Sequence, residues 1–212
     1  MTNSTLFPAI RHTNTLGDSK ERKVVTMSST RGFSLRQSAV AVLTVLLLAF
    51  AAQAGTYTWN STSSGNWSDT SASGWNTSGT DYPNGAGDLV YLTSDITAGT
   101  TVTIDVADAK LGILYLTDGG TGTLANWTIA SSNGTNALTF DRGSSSSSIQ
   151  STTGSNTVSA PIVISGTGTG LGLRVTGTQL TLSGVISEGA TAGRAFSTDS
   201  STTGTVVVSN AN

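Results

Sequence analysis

The chain has 212 residues, no cysteine, one histidine and a formal net charge of −2. Without cysteine there is no disulfide framework, and without a basic patch there is nothing to neutralise phosphates, so nucleic acid is not an expected partner. The charge is divided unevenly: residues 1–54 carry six Lys/Arg against two Asp/Glu, and the remaining 158 carry four against ten.

Residues 39–52 form the only long apolar run, preceded by Arg31 and Arg36 and followed by Ala52-Gln53-Ala54. A basic flank, a short apolar segment and small residues at the two positions that a signal peptidase reads define a secretory signal peptide, cleaved between Ala54 and Gly55. Read as a membrane anchor instead, the run falls short of the roughly 20 residues needed to span a bilayer. A start at Met27 would leave a conventional leader, and residues 1–54, with the lone His12, are assigned to leader and signal peptide. The expected location is secreted or at the cell surface, reached through the export machinery, with no membrane span in the mature part.

Residues 55–84 hold Trp59, Trp67 and Trp75, three tryptophans within 17 residues, with Tyr57 and Tyr82 nearby. Two readings fit. Flat aromatic faces can stack on sugar rings, which would make the three indoles a carbohydrate site. They can equally close the first turn of a solenoid against water, because Trp buries a large area per residue.

From residue 85 onward, apolar and β-branched residues alternate between Gly, Asn and Ser punctuation, which reads as strands; no segment has helical spacing with caps. Candidate strands run over 88–93, 101–106, 111–117, 123–130, 136–141, 158–164, 171–176, 179–186, 194–198 and 204–209. Their spacing suits a sandwich, a barrel or a solenoid. The scarcity of bulky residues favours the solenoid, because two packed sheets need large side chains to fill the space between them. With coils of 20 to 25 residues, Val102, Ile104, Leu138, Phe140, Ile162, Ile164, Leu180, Leu182, Val206 and Val208 should point inward. Thr103, Thr139 and Thr181 should face solvent. Ser144 to Ser148 reads as a low-complexity loop.

Motifs for chemistry are sparse. Beyond Ala54 there is no His or Cys, one lysine (Lys110) and one glutamate (Glu188), whereas most enzymes build their sites from His, Cys, Lys or clustered carboxylates. Asp105 with Asp108, and Asp81 with Asp88, are the close carboxylate pairs that a glycoside hydrolase would need on a cleft. Asp118 to Leu124 resembles a calcium-binding glycine-rich nonapeptide, but Thr123 stands where the ligand Asp belongs, so a turn is expected. Gly166 to Gly172 lacks the spacing of a dinucleotide loop. No catalytic residue, metal site or cofactor is expected.

Ser159-Ala160-Pro161-Ile162, then Gln179 to Ser187, then Gly204 to Asn212 follow one another in an order that resembles the autotransporter-associated β-strand repeat proteins. There "isaPi", "LtlsGvIsg" and "GtltLsgaNtYtGgT" phrases recur. The opening, with Tyr57-Thr58-Trp59, Gly65-Asn66-Trp67-Ser68-Asp69 and Pro83 to Asp88, also fits exported members. The resemblance covers most of residues 55–212. It implies a right-handed parallel β-helix, displayed on or released from the surface of a Gram-negative bacterium.

The expected organisation is thus a leader over 1–54, a Trp-rich cap over 55–84 and an all-β solenoid over 85–212, with a β-sandwich as the alternative. The expected role is a non-enzymatic, adhesin-like passenger stalk at the cell outer membrane, meeting a surface polysaccharide or a host or neighbouring cell. A carbohydrate-binding module built on Trp59, Trp67 and Trp75 is the first alternative, and a polysaccharide lyase or hydrolase fragment the second.

Overall fold

The computed structural model describes residues 54–71, 74–76, 81–122 and 124–210, all of which belong to one compact unit, Phe50–Asn212. The expected signal peptide lies outside the described residues, apart from Ala54. Among the described residues every regular element is a strand, and no helix is long and apolar enough to cross a membrane.

The strands wind in coils. The first coil holds β1 (Thr56–Thr58) and β2 (Gly65–Asn66), and the second β3 (Leu89–Leu92), β4 (Thr100–Ile104) and β5 (Asp108–Leu111). The third holds β6 (Ile113–Leu116), β7 (Trp127–Ser131) and β8 (Ala137–Phe140), and the fourth β9 (Ser147–Ser151), β10 (Ser155–Val158) and β11 (Ile162–Ile164). The fifth holds β12 (Gly170–Val175), β13 (Gln179–Leu182) and β14 (Ile186–Glu188), and β15 (Ala195–Thr198) with β16 (Thr205–Val208) starts a sixth.

Equivalent strands stack into three parallel sheets, in the orders β1-β3-β6-β9-β12-β15, β2-β4-β7-β10-β13-β16 and β5-β8-β11-β14. Every strand pair is parallel, which identifies a β-solenoid and rules out the antiparallel sandwich. With strands about 4.8 Å apart, a six-strand sheet is about 24 Å long.

The core is a set of columns. In the second sheet Val102, Ile129, Val158, Leu182 and Val208 stand in register. In the first sheet Val90, Leu114, Ile149 and Leu173 do the same, and in the third Ala109, Leu138, Ile162 and Ile186. Each apolar side chain therefore meets others above, below and across the coil, so Val, Ile and Leu are enough to fill it.

The expected inward residues are buried except at the last coil, where Val206 is half-buried and Val208 exposed because β16 has no described strand beyond it. Thr139 corrects the outward expectation: it is only 9 % exposed, flanked in register by Lys110 and Val163, whereas Thr103 and Thr181 are half-buried.

Coil length also departs from expectation. Leu89 pairs with Ile113 and Ser155 with Gln179, each 24 residues on, but Thr128 pairs with Thr157 and Ile113 with Ser148, 29 and 35 residues on. The surplus is loop at 117–126 and 141–146. Ser147 and Ser148, expected in a loop, lie in β9 because Ile149 fills the column between Leu114 and Leu173. Register with both neighbouring coils outweighs the weak strand propensity of serine.

Buried polar side chains hold the corners. Asn156 accepts the Trp127 amide at 2.8 Å and donates to Ser151 Oγ at 2.9 Å and Thr153 O at 2.8 Å. Gly154 makes the preceding turn at φ +62°, where a Cβ would sit 2.7 Å from Asn126 Oδ1.

Candidate functional site

The tryptophan-rich end is the densest sequence feature, and the structure brings all three indoles together. Trp59 follows β1 and bridges antiparallel to Trp75, with Asn60 N donating to Gly74 O at 2.9 Å and Asn76 N to Thr58 O at 2.6 Å. Trp67 follows β2, and its amide donates to Thr103 O at 2.8 Å, joining the segment to the second coil. The Trp75 ring stands edge-on to both partners: centroids lie 5.0 Å from Trp59 at 79° and 4.9 Å from Trp67 at 70°. Trp67 Nε1 donates to Pro83 O at 2.8 Å and Trp75 Nε1 to Trp67 O at 2.6 Å, while Trp59 Nε1 is buried without a partner among the described residues.

This geometry decides between the two readings of the cluster. Trp59 and Trp67 are 0 % exposed and Trp75 1 %, so none of the three presents a face on which a sugar ring could stack. The described residues of 55–84 belong to the same compact unit as the later coils, with β1 and β2 continuing two of the sheets and the three indoles joined to the common core. Gly65 is required here because a Cβ would lie 2.9 Å from the Trp59 ring.

Beside the cluster, Asp88 anchors the entry of the chain. It is 3 % exposed, and its carboxylate accepts the amides of Gly55 at 2.7 Å, Gly85 at 2.7 Å and Asn84 at 3.1 Å. Ala54 is exposed, whereas Gly55 is tied in on both sides, since its carbonyl accepts the Leu89 amide at 2.8 Å. Burial, then the charges of Asp88 and Asp81 and a hydrogen bond to Asp81, push the Tyr57 phenol up to about 12, so it stays protonated at neutral pH.

The other carboxylates singled out in the sequence also do local work. Asp105 accepts the Ser68 amide and hydroxyl, Asp81 accepts the Tyr82 amide, and Asp108 is exposed with Lys110 Nζ at 4.0 Å. Asp118 is 4 % exposed and accepts the amides of Ala125 at 2.8 Å, Gly120 at 3.0 Å and Ile96 at 3.2 Å, so its glycine-rich segment is a turn closed on a carboxylate. Burial alone would raise the Asp118 carboxyl, but the amides of Ala125, Gly120 and Ile96 outweigh it and hold it below the ordinary carboxylate range.

A stability consequence follows with a definite sign. A carboxyl lowered in the fold stabilises above its unfolded value, and that contribution is lost as pH falls through the folded value. Asp118→Ala should therefore cost about 2 kcal/mol at pH 7 by orphaning three amides. The difference between variant and parent should shrink on acidification below the carboxylate range, as read by urea unfolding at several pH values. A pH-independent difference would show that the charge is not what holds the turn.

Sequence reasoning missed one aromatic pair. Tyr91 and Tyr115 stack on the outer side of the first sheet, centroids 4.4 Å apart and planes 2° from parallel. The signal was legible as a repeated phrase, Leu89-Val90-Tyr91-Leu92 and Ile113-Leu114-Tyr115-Leu116, 24 residues apart. Further along the same face, Gly172 lacks a side chain and a shallow open depression of about 150 Å³ forms beside Ser197 and Asp199. No protein-family model, curated protein or solved structure matches the chain.

Proposed function

We propose that the chain is a non-enzymatic exported surface protein, the base of a passenger-type β-solenoid stalk. The observation that carries this reading is the closure of the first coil. Three buried indoles seal one end of a rod whose successive coils repeat in register, as a solenoid needs where its stack begins. The last strands instead expose Phe196 and Val208, apolar surface that a further coil or another partner would cover. Asp81, Asp88, Asp105 and Asp118 accept backbone amides, and that is a scaffold's use of them.

The reading also makes sense of the Gly55–Asp88 contact. Cleavage after Ala54 would turn the Gly55 nitrogen into an α-ammonium 2.7 Å from the Asp88 side-chain oxygen, and a charge-assisted hydrogen bond is about twice as strong as a neutral one. Expressed in a Gram-negative host, the exported material should begin Gly55-Thr56-Tyr57 by N-terminal sequencing. It should also melt higher than protein still carrying Ala54 and the residues before it, a difference that Asp88→Asn removes. An exported species that retains Arg31 would reject processing at this bond.

A further inference from the structure

The outer side of the second sheet repeats a single residue type as no other face does. Thr101, Thr128, Thr157 and Thr181 stand in register on β4, β7, β10 and β13, with Thr103 beside Ala130 in the next column. All are half-buried. Neighbouring strands are about 4.8 Å apart, so the four threonines form one file of methyl and hydroxyl groups repeated at that interval.

Two properties set this file apart from an ordinary sheet exterior. The six strands of the sheet contain no charged residue, whereas the first sheet carries Arg174 and the third Asp108, Lys110 and Glu188. The hydroxyls of Thr101, Thr128 and Thr157 also form no hydrogen bond with other described residues; only Thr181 Oγ1 is engaged, by Gln179 Nε2 at 2.7 Å. β-Branching leaves each threonine few χ1 choices, so the free hydroxyls are held at fixed intervals before any partner arrives.

We propose that this face binds crystalline water. A neutral file of methyl and hydroxyl groups, repeated at about 4.8 Å from coil to coil, complements a row of an ice lattice: hydroxyls join the lattice waters and methyls occupy the hollows between them. A polysaccharide would instead call for aromatic faces or charged groups along the file, and Thr101, Thr128, Thr157 and Thr181 supply neither. The proposal does not depend on export, since the purified chain either enters ice or is excluded from it.

The test is ice-affinity partitioning of the full chain. The parent protein should concentrate in slowly growing ice and facet it. Thr128→Lys and Thr157→Lys, which place a charge on the outer face and leave the core columns intact, should each reduce the fraction in ice at least tenfold with unchanged circular dichroism. Ser148→Lys, on the outer side of the first sheet, should partition like the parent. Exclusion of the parent from ice, or equal partitioning of the threonine variants, would overturn the proposal. So would capture of the parent on microcrystalline cellulose or chitin that the same two substitutions abolish, which would give the face to a polysaccharide.

Discussion

Trp67→Ala should lower stability by about 4 kcal/mol, the range for truncating a fully buried Trp. The indole is completely covered, packs edge-on against Trp75, and donates to Pro83 O, a carbonyl that the substitution leaves without its donor. Because coils in a solenoid contact only their neighbours, the damage should stay local. Hydrogen exchange should lose protection across β1 to β4 and keep it across β9 to β13. Trp59→Phe makes the contrast. Its Nε1 has no partner among the described residues, so removing that N–H relieves an unsatisfied buried donor and offsets part of the lost packing. Urea unfolding should therefore show a clearly smaller loss for Trp59→Phe than for Trp67→Phe. Equal losses would mean that the Pro83 hydrogen bond contributes nothing.

Leu182→Asp should be as damaging, for a different reason. Leu182 is 0 % exposed and stands in register between Val158 and Val208. A carboxylate there would lie between the side chains of Val158 and Val208, and a buried, unpaired charge costs several kcal/mol. Thr181, one residue earlier, points to the opposite side of the strand and is half-buried. Thr181→Asp should therefore change stability by less than about 1 kcal/mol, as is usual for a surface substitution. Thermal melts of the pair measure the difference directly, and similar melting temperatures would contradict the inward and outward assignment of β13.

What made the fold legible was period-two alternation joined to scarce aromatics. In Thr100-Thr101-Val102-Thr103-Ile104 and Gln179-Leu180-Thr181-Leu182 the pattern by itself names the inward residue, because a strand's side chains must alternate. The expected strands left out β1, β2, β9, nearly all of β10 and most of β5, and in β9 and β10 the pattern is weak. Three of the five residues of β9 are serine and β10 has an asparagine facing inward, and both exist because coils on either side supply ladder partners and, for Asn156, a complete set of hydrogen bonds. A sequence window contains no information about a strand 24 or 35 residues away, so coil length could not be read where loops intervene.

The same division holds for the sites. The cluster of Trp59, Trp67 and Trp75 was visible as composition, but whether its faces look outward or inward depends on which backbone segments close around them. The antiparallel bridge from Trp59 to Trp75 is a tertiary contact. The threonine array is the converse case. Each threonine is an unremarkable strand residue in sequence, and only parallel stacking, which brings residues 101, 128, 157 and 181 into one row, turns them into a surface. The sequence alone determined an all-β chain with sparse chemistry and a narrow aliphatic core, because these follow from residue type and local period. The register of coils, the burial of the indoles and the content of each outer face were decided by tertiary structure, because they follow from long-range hydrogen bonding between strands.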